Sequence, residues 1–131
     1  MLEDFSLIPL KSSLKSLQDI LRQPINEYIR DGVIQRFEYT FELSWKTIKR
    51  YFNLIGREDI ATGPKPILRE AGKEKLINDV EEWLVFLDKR NTSTHIYNDE
   101  QAQEVYNKCK DFPKYVQELI EELERRATSL N

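Results

Sequence analysis

The residues best suited to chemistry lie together in Lys89-Arg90-Asn91-Thr92-Ser93-Thr94-His95-Ile96-Tyr97. His95 is the only histidine of the chain, and imidazole is the one side chain here whose ordinary pKa lies near neutrality. Arg90 stands five positions before it and Tyr97 two after. A guanidinium can hold a phosphate in a bidentate fork. The imidazole can move a proton, and the tyrosine carries a free hydroxyl.

The geometry of a helix constrains how these groups meet. Positions five apart diverge by about 140° at 3.6 residues per turn, so Arg90 and His95 would separate on one straight helix. They converge if the helix ends between them, or if two copies of the chain face each other. Thr92, Ser93 and Thr94 are weak helix formers whose hydroxyls compete for backbone partners. The reading therefore puts Arg90 on the last turn of one helix and His95–Tyr97 in the connection. Asn98, with Gln101 three residues on, has the pattern of a capping box opening the next helix. A blander account stands beside the catalytic one. A histidine in a helix connection can be a satisfied polar residue, and arginine near a helix C-terminus follows from the dipole alone.

The elements that must position this stretch read as helices. Leu7, Leu10, Leu14, Leu17 and Leu21 make one apolar stripe, which predicts an amphipathic helix over 5–23, stopped by Pro24. Residues 24–31 read as a connection, and Asp31-Gly32 as the approach to a second helix. Ile34, Phe37, Phe41, Trp45, Ile48, Phe52 and Ile55 share a face of that helix, widened by Tyr39, Leu43 and Tyr51. Such an aromatic helix belongs at the centre of a bundle, its rings forming core rather than a stacking platform. Gly56 ends it as a C′ glycine. Residues 57–66 read as a loop, followed by a short helix from Ile67 to Ala71. Asp79 caps a helix from Val80 to about Arg90. A last helical region follows Asn98, with a kink or a restart at Asp111 forced by Pro113. The fold class expected is all-α: an antiparallel up-and-down bundle of four to five helices in one domain spanning 1–131.

Composition narrows the function classes. The 131 residues are 33% charged and 40% hydrophobic, ordinary for a globular chain. No apolar run would span a bilayer and no signal peptide is visible. With a single cysteine, Cys109, no internal disulfide can form, so a reducing, cytoplasmic setting and no membrane are expected. One histidine and one cysteine make no zinc site of familiar spacing, and no metal or cofactor is implied. A net charge of −3 argues against broad nucleic-acid binding. A local basic patch of Lys89, Arg90, Lys108, Lys110 and Lys114 remains open to a phosphate-bearing partner.

Three stretches taken in order carry a resemblance: Asp31-Gly32-Val33-Ile34-Gln35-Arg36-Phe37-Glu38-Tyr39-Thr40-Phe41-Glu42-Leu43-Ser44-Trp45-Lys46, then Leu68-Arg69-Glu70-Ala71, then Trp83 through Tyr97. Over roughly residues 5–123 the chain resembles the nucleotidyltransferase substrate-binding protein family, a branch of the HEPN superfamily. Arg90, His95 and Tyr97 match the Arg-x4-His-x-Tyr signature, with Asn91 as the polar residue after the arginine. Pro64-Lys65-Pro66 departs from the Ser-Pro helix start of the pattern. The resemblance implies a helical bundle that forms a homodimer and binds a minimal nucleotidyltransferase, through which a nucleotide can reach it. Two roles stay open. One is a substrate-binding subunit without chemistry of its own. The other is a metal-independent RNA endonuclease, the toxin of a toxin–antitoxin pair, in which Arg90 and His95 are catalytic. In that case the partner would silence it by AMPylation of Tyr97. Tyr39, Tyr51 and Tyr106 are expected to be partly buried and poorly reached by a modifying enzyme.

Overall fold

The computed structural model describes residues 5–130; residues 1–4 and 131, the ends of the expected 1–131 domain, lie outside them. Among the described residues all regular structure is helical: α1 (Ile8–Leu21), α2 (Glu27–Leu54), α3 (Pro64–Lys73), α4 (Val80–Ser93), α5 (Asp99–Cys109) and α6 (Phe112–Leu130). The all-α bundle holds. The restart expected near Pro113 is a full break at residues 110–111, which raises the helix number to six.

Several boundaries differ from the sequence reading: α1 is shorter than the expected 5–23, α4 runs three residues past Arg90, and the starts of α2 and α3 come early. Residues 24–31 are not a connection: α2 begins at Glu27, where the Asn26 side chain accepts the Ile29 N–H at 2.9 Å. Gly32 therefore lies inside the helix. Likewise α3 starts at Pro64, three residues earlier than expected, because a proline at the first helical position has its φ preset and lacks only a donor that would go unused there. Gly56 does end α2, with φ +84°, and the Arg57 N–H reaches back to the Phe52 carbonyl at 2.7 Å.

Neighbours pack antiparallel. Across α1 and α2, the Thr40 hydroxyl donates to the Ser13 carbonyl and Arg36 Nε to the Ser16 hydroxyl. Across α1 and α6, Lys11 meets Glu124 at 2.9 Å. The centre is aromatic, as expected. The Phe112 ring lies 4.8 Å from Phe86, 5.1 Å from Phe37 and 5.4 Å from Trp83, the last two edge-on. Phe37, Phe86 and Phe112 are fully buried. This block fixes α4 against α2 and so sets where Arg90 emerges.

One tyrosine departs from expectation. Tyr51 and Tyr106 are buried, but Tyr39 is 61% exposed. It lies two residues from both Phe37 and Phe41, about 200° around the helix from each, so burying those rings turns Tyr39 outward.

Candidate functional site

The site is assembled where the last turn of α4 crosses the middle of α2. Arg90 projects from α4 and its Nη2 donates to Glu42 Oε2 at 2.7 Å, while Nη1 reaches Asn91 Oδ1 at 3.3 Å. Both members of the ion pair are about one-third exposed. Glu42 also faces Lys46, one turn further along α2, at 3.5 Å. One turn earlier, Glu38 accepts a hydrogen bond from the Ser93 hydroxyl at 2.8 Å. Glu38 and Glu42, four apart on one helix face, thus grip the end of α4 at two points.

Beyond Ser93 the chain leaves the helix as the sequence suggests. The His95 N–H closes a last turn onto the Thr92 carbonyl at 2.8 Å, and Thr94 is the C-cap. The Asn98 side chain accepts the Gln101 N–H at 2.8 Å and starts α5. The reciprocal half of the expected capping box is shifted by one residue: Gln101 Oε1 accepts the N–H of Tyr97, at 2.7 Å. Tyr97 is thereby pinned by its backbone while its side chain stays 81% exposed.

Arg90 and Thr94 line an open groove together with Arg36, Glu38, Tyr39 and Glu42. His95 and Asn91 are exposed, and His95 is not among the groove-lining residues. The helix does end between Arg90 and His95. Even so, the one chain directs Arg90 onto Glu42 and leaves the imidazole on the open surface, with no side-chain hydrogen bond among the described residues. The wider basic patch is divided: Lys108 is paired with Glu82 and lies over the Phe86 ring, while Lys110 and Lys114 lie over Tyr106 and Tyr115. Cys109 is buried at 0% exposure, and burial pushes its thiol far above the usual range, so it is no nucleophile at neutral pH. No described helix is long and apolar enough to cross a membrane.

Arg90, His95, Tyr97 and Asn91 are candidates visible in the sequence, but their setting is not. Not visible there are Glu42 and Glu38, which hold Arg90 and Ser93, and Arg36, which lines the same groove. The i, i+4 spacing of the two glutamates is visible, but nothing local ties them to a residue 48 positions away.

The arrangement has relatives. Residues 5–125 match the family model described as nucleotidyltransferase substrate binding protein like. A Haemophilus influenzae protein called a probable ribonuclease HepT is 42% identical over 98 residues, which is 72% of this chain and 67% of that protein. A solved Haemophilus influenzae structure, described as revealing the fold of a substrate-binding domain of a nucleotidyltransferase, superimposes with a TM-score of 0.80 at 34% identity. That match covers 91% of this chain and 99% of the other. A crystal structure from Thermus thermophilus gives 0.78 at 27% identity, covering 87% and 98%.

Proposed function

The chain belongs to the family of nucleotidyltransferase substrate-binding-like proteins, and on that premise we propose that it is the substrate-binding subunit of a small nucleotidyltransferase. The observation that carries this is the match to almost the whole of a domain described in those terms, 99% of its length at a TM-score of 0.80. Fold alone does not assign function; here fold, family and sequence identity run together. In this reading the subunit is a homodimer that docks on the enzyme and presents the group to be modified. Tagged protein at its native level, captured from its own cells, should bring down a nucleotidyltransferase. If it brings down none, the reading is abandoned.

A second reading is favoured by one observation, the Arg90, His95 and Tyr97 set at an accessible helix end, and a 42% identical relative is called a probable ribonuclease. RNA cleavage by its own 2′-hydroxyl needs an acceptor for that proton, a donor for the departing 5′-oxygen, and a cation for the phosphorane between them. One chain holds one histidine. Two chains about a two-fold axis near His95 hold two, one to take the 2′-proton and one to protonate the leaving oxygen. The products are a 2′,3′-cyclic phosphate and a 5′-hydroxyl. Arg90 serves the non-bridging oxygens after giving up Glu42. Incubation with RNA in EDTA decides: cleavage should vanish in His95→Ala, and cleavage that survives the substitution belongs to a contaminant.

The two readings meet at Tyr97. Its 81% exposure suits it to be the group presented to the partner. Attack of the phenol on the α-phosphorus of ATP would give Tyr97-O-AMP and release pyrophosphate. The added phosphate lies one connection away from Arg90 and competes there with RNA. Peptide mass spectrometry after incubation with ATP and the partner should find AMP on the Tyr97 peptide and none in Tyr97→Phe. Modification elsewhere with Tyr97 untouched removes this link.

A further inference from the structure

Two open grooves lie on the face shared by α1, α2 and α4. One passes Ser12, Lys15 and Asp19; the other passes Glu38, Tyr39, Glu42 and Arg90; both are lined by Ser16 and Arg36. Arg36 stands at their junction. Its Nε donates to the Ser16 hydroxyl at 3.0 Å and its Nη1 to the Gly32 carbonyl at 3.2 Å. Among the described residues it has no carboxylate partner. Of the acidic groups around it, Asp19 is ion-paired with Lys15 and Arg22 at 3.0 and 2.8 Å and Glu42 with Arg90, while Glu38 accepts a hydrogen bond from the Ser93 hydroxyl and keeps its charge. Of the two arginines in this groove, Arg36 and not the motif arginine is therefore the one without an ion-pair partner among the described residues.

The guanidinium is also held in place. Gly32 carries no Cβ, and one built there would lie 3.2 Å from Arg36 Nη1 and 2.6 Å from Ile20 Cδ1. The glycine inside α2 lets α1 close in and offers its carbonyl to Arg36. An arginine fixed through two of its nitrogens keeps its remaining N–H edge for a ligand at little entropic cost. Three residues on, Tyr39 shares the same helix face and is 61% exposed, although hydrophobic positions on either side are buried. A positioned cation beside a bare aromatic ring is the pairing that single-stranded nucleic acid uses: phosphate to cation, base to ring. An acidic peptide would use only the cation.

We infer that Arg36 and Tyr39 form a nucleotide subsite for single-stranded RNA, Arg36 taking a phosphate and Tyr39 stacking on the adjacent base. The site lies beside the Arg90 position, six residues or about 9 Å along α2 from Glu42. It rests on the ribonuclease reading and gives that reading a substrate class: unpaired RNA, read by stacking and backbone rather than by base edge. It also accounts for binding by an acidic chain, since the contact is local and not a matter of net charge.

The test uses full-length protein carrying His95→Ala, so that RNA is not cut, with a fluorescein-labelled short oligouridine in EDTA and anisotropy as readout. Arg36→Ala should weaken binding about tenfold and lower the dependence of log Kd on log salt by about one. Tyr39→Ala should weaken it by about tenfold and Tyr39→Phe hardly at all, because stacking needs the ring and not the hydroxyl. Melting curves establish that each variant is folded. If Arg36→Ala and Tyr39→Ala bind like the parent while Arg90→Ala fails, the subsite is wrong and the RNA reading stands. If the parent binds no RNA at low salt, the RNA reading falls and takes the subsite with it. Displacement of the RNA by polyglutamate at equal charge would also overturn the assignment, by showing a site for acidic chains in general.

Discussion

In the isolated chain the Arg90 guanidinium already has an anion, Glu42 at 2.7 Å. With both groups about one-third exposed, such a pair contributes on the order of 0–1 kcal/mol, so a phosphate can displace the carboxylate. Glu42→Gln keeps the shape and removes the competing charge. The expected outcome is RNA affinity raised by up to about fivefold, a gain of about 1 kcal/mol, with a melting temperature nearly unchanged. Anisotropy on the His95→Ala background measures it. Unchanged or weaker binding would mean that Glu42 positions Arg90 and does not compete for it. At this scale the sequence is legible where chemistry is local: Arg90 on a last turn, Tyr97 exposed, Asn98 as a cap. It is illegible where a partner comes from a distant helix, as Glu42 and Glu38 do. Tyr39 is exposed against expectation because its angle from Phe37 and Phe41 outweighs its aromatic character.

The helices are legible in type and less so at their ends, and the two glycines that face another helix show why. The sequence reading puts Gly32 at the approach to α2, since glycine costs a helix interior about 1 kcal/mol relative to alanine. Here that cost is offset by the close passage of Ile20 and the seat of Arg36. Gly72 makes a contact of a different kind: a Cβ there would lie 3.0 Å from the Val80 Cβ, which cannot swing away as the end of a side chain can. The two alanine variants should therefore differ. Gly32→Ala should leave stability within about 1 kcal/mol, because helix propensity compensates the repacked Ile20 tip. It should nevertheless weaken RNA binding by dislodging Arg36. Gly72→Ala should destabilise by about 1–3 kcal/mol, prising α3 from α4, with binding of RNA by the folded protein intact. Urea unfolding followed by circular dichroism, beside anisotropy, reads both. A Gly32→Ala protein that binds RNA normally would remove Gly32 from the site and leave it a packing residue.

Across the whole molecule, α6 closes the bundle, and its charged end is anchored to the rest. Arg125 and Arg126 hold Glu122, with Arg126 Nε at 2.7 Å, and Arg126 Nη2 donates to the Glu74 carbonyl beyond α3 at 2.5 Å. The hydrogen bonds from Arg125 and then Arg126 keep the Glu122 carboxyl down at about 2. A carboxyl lowered on folding adds stability above the ordinary carboxylate range and loses it as pH falls toward that value. The urea midpoint should decline over that acid window, and Glu122→Gln should flatten the decline; equal slopes in the two proteins would show that the contact is not felt. The fold class and the core are legible because apolar periodicity is written along each helix. Assembly is not, because one chain leaves His95 outside the groove of Arg90 and carries no record of what faces it. The central claim is that this chain works as a paired subunit of a nucleotidyltransferase. Native mass spectrometry of the complex captured from its own cells tests it most directly. The account predicts one assembly holding two copies of this chain and a small nucleotidyltransferase. A lone monomer, with no enzyme bound and no second copy, would contradict it.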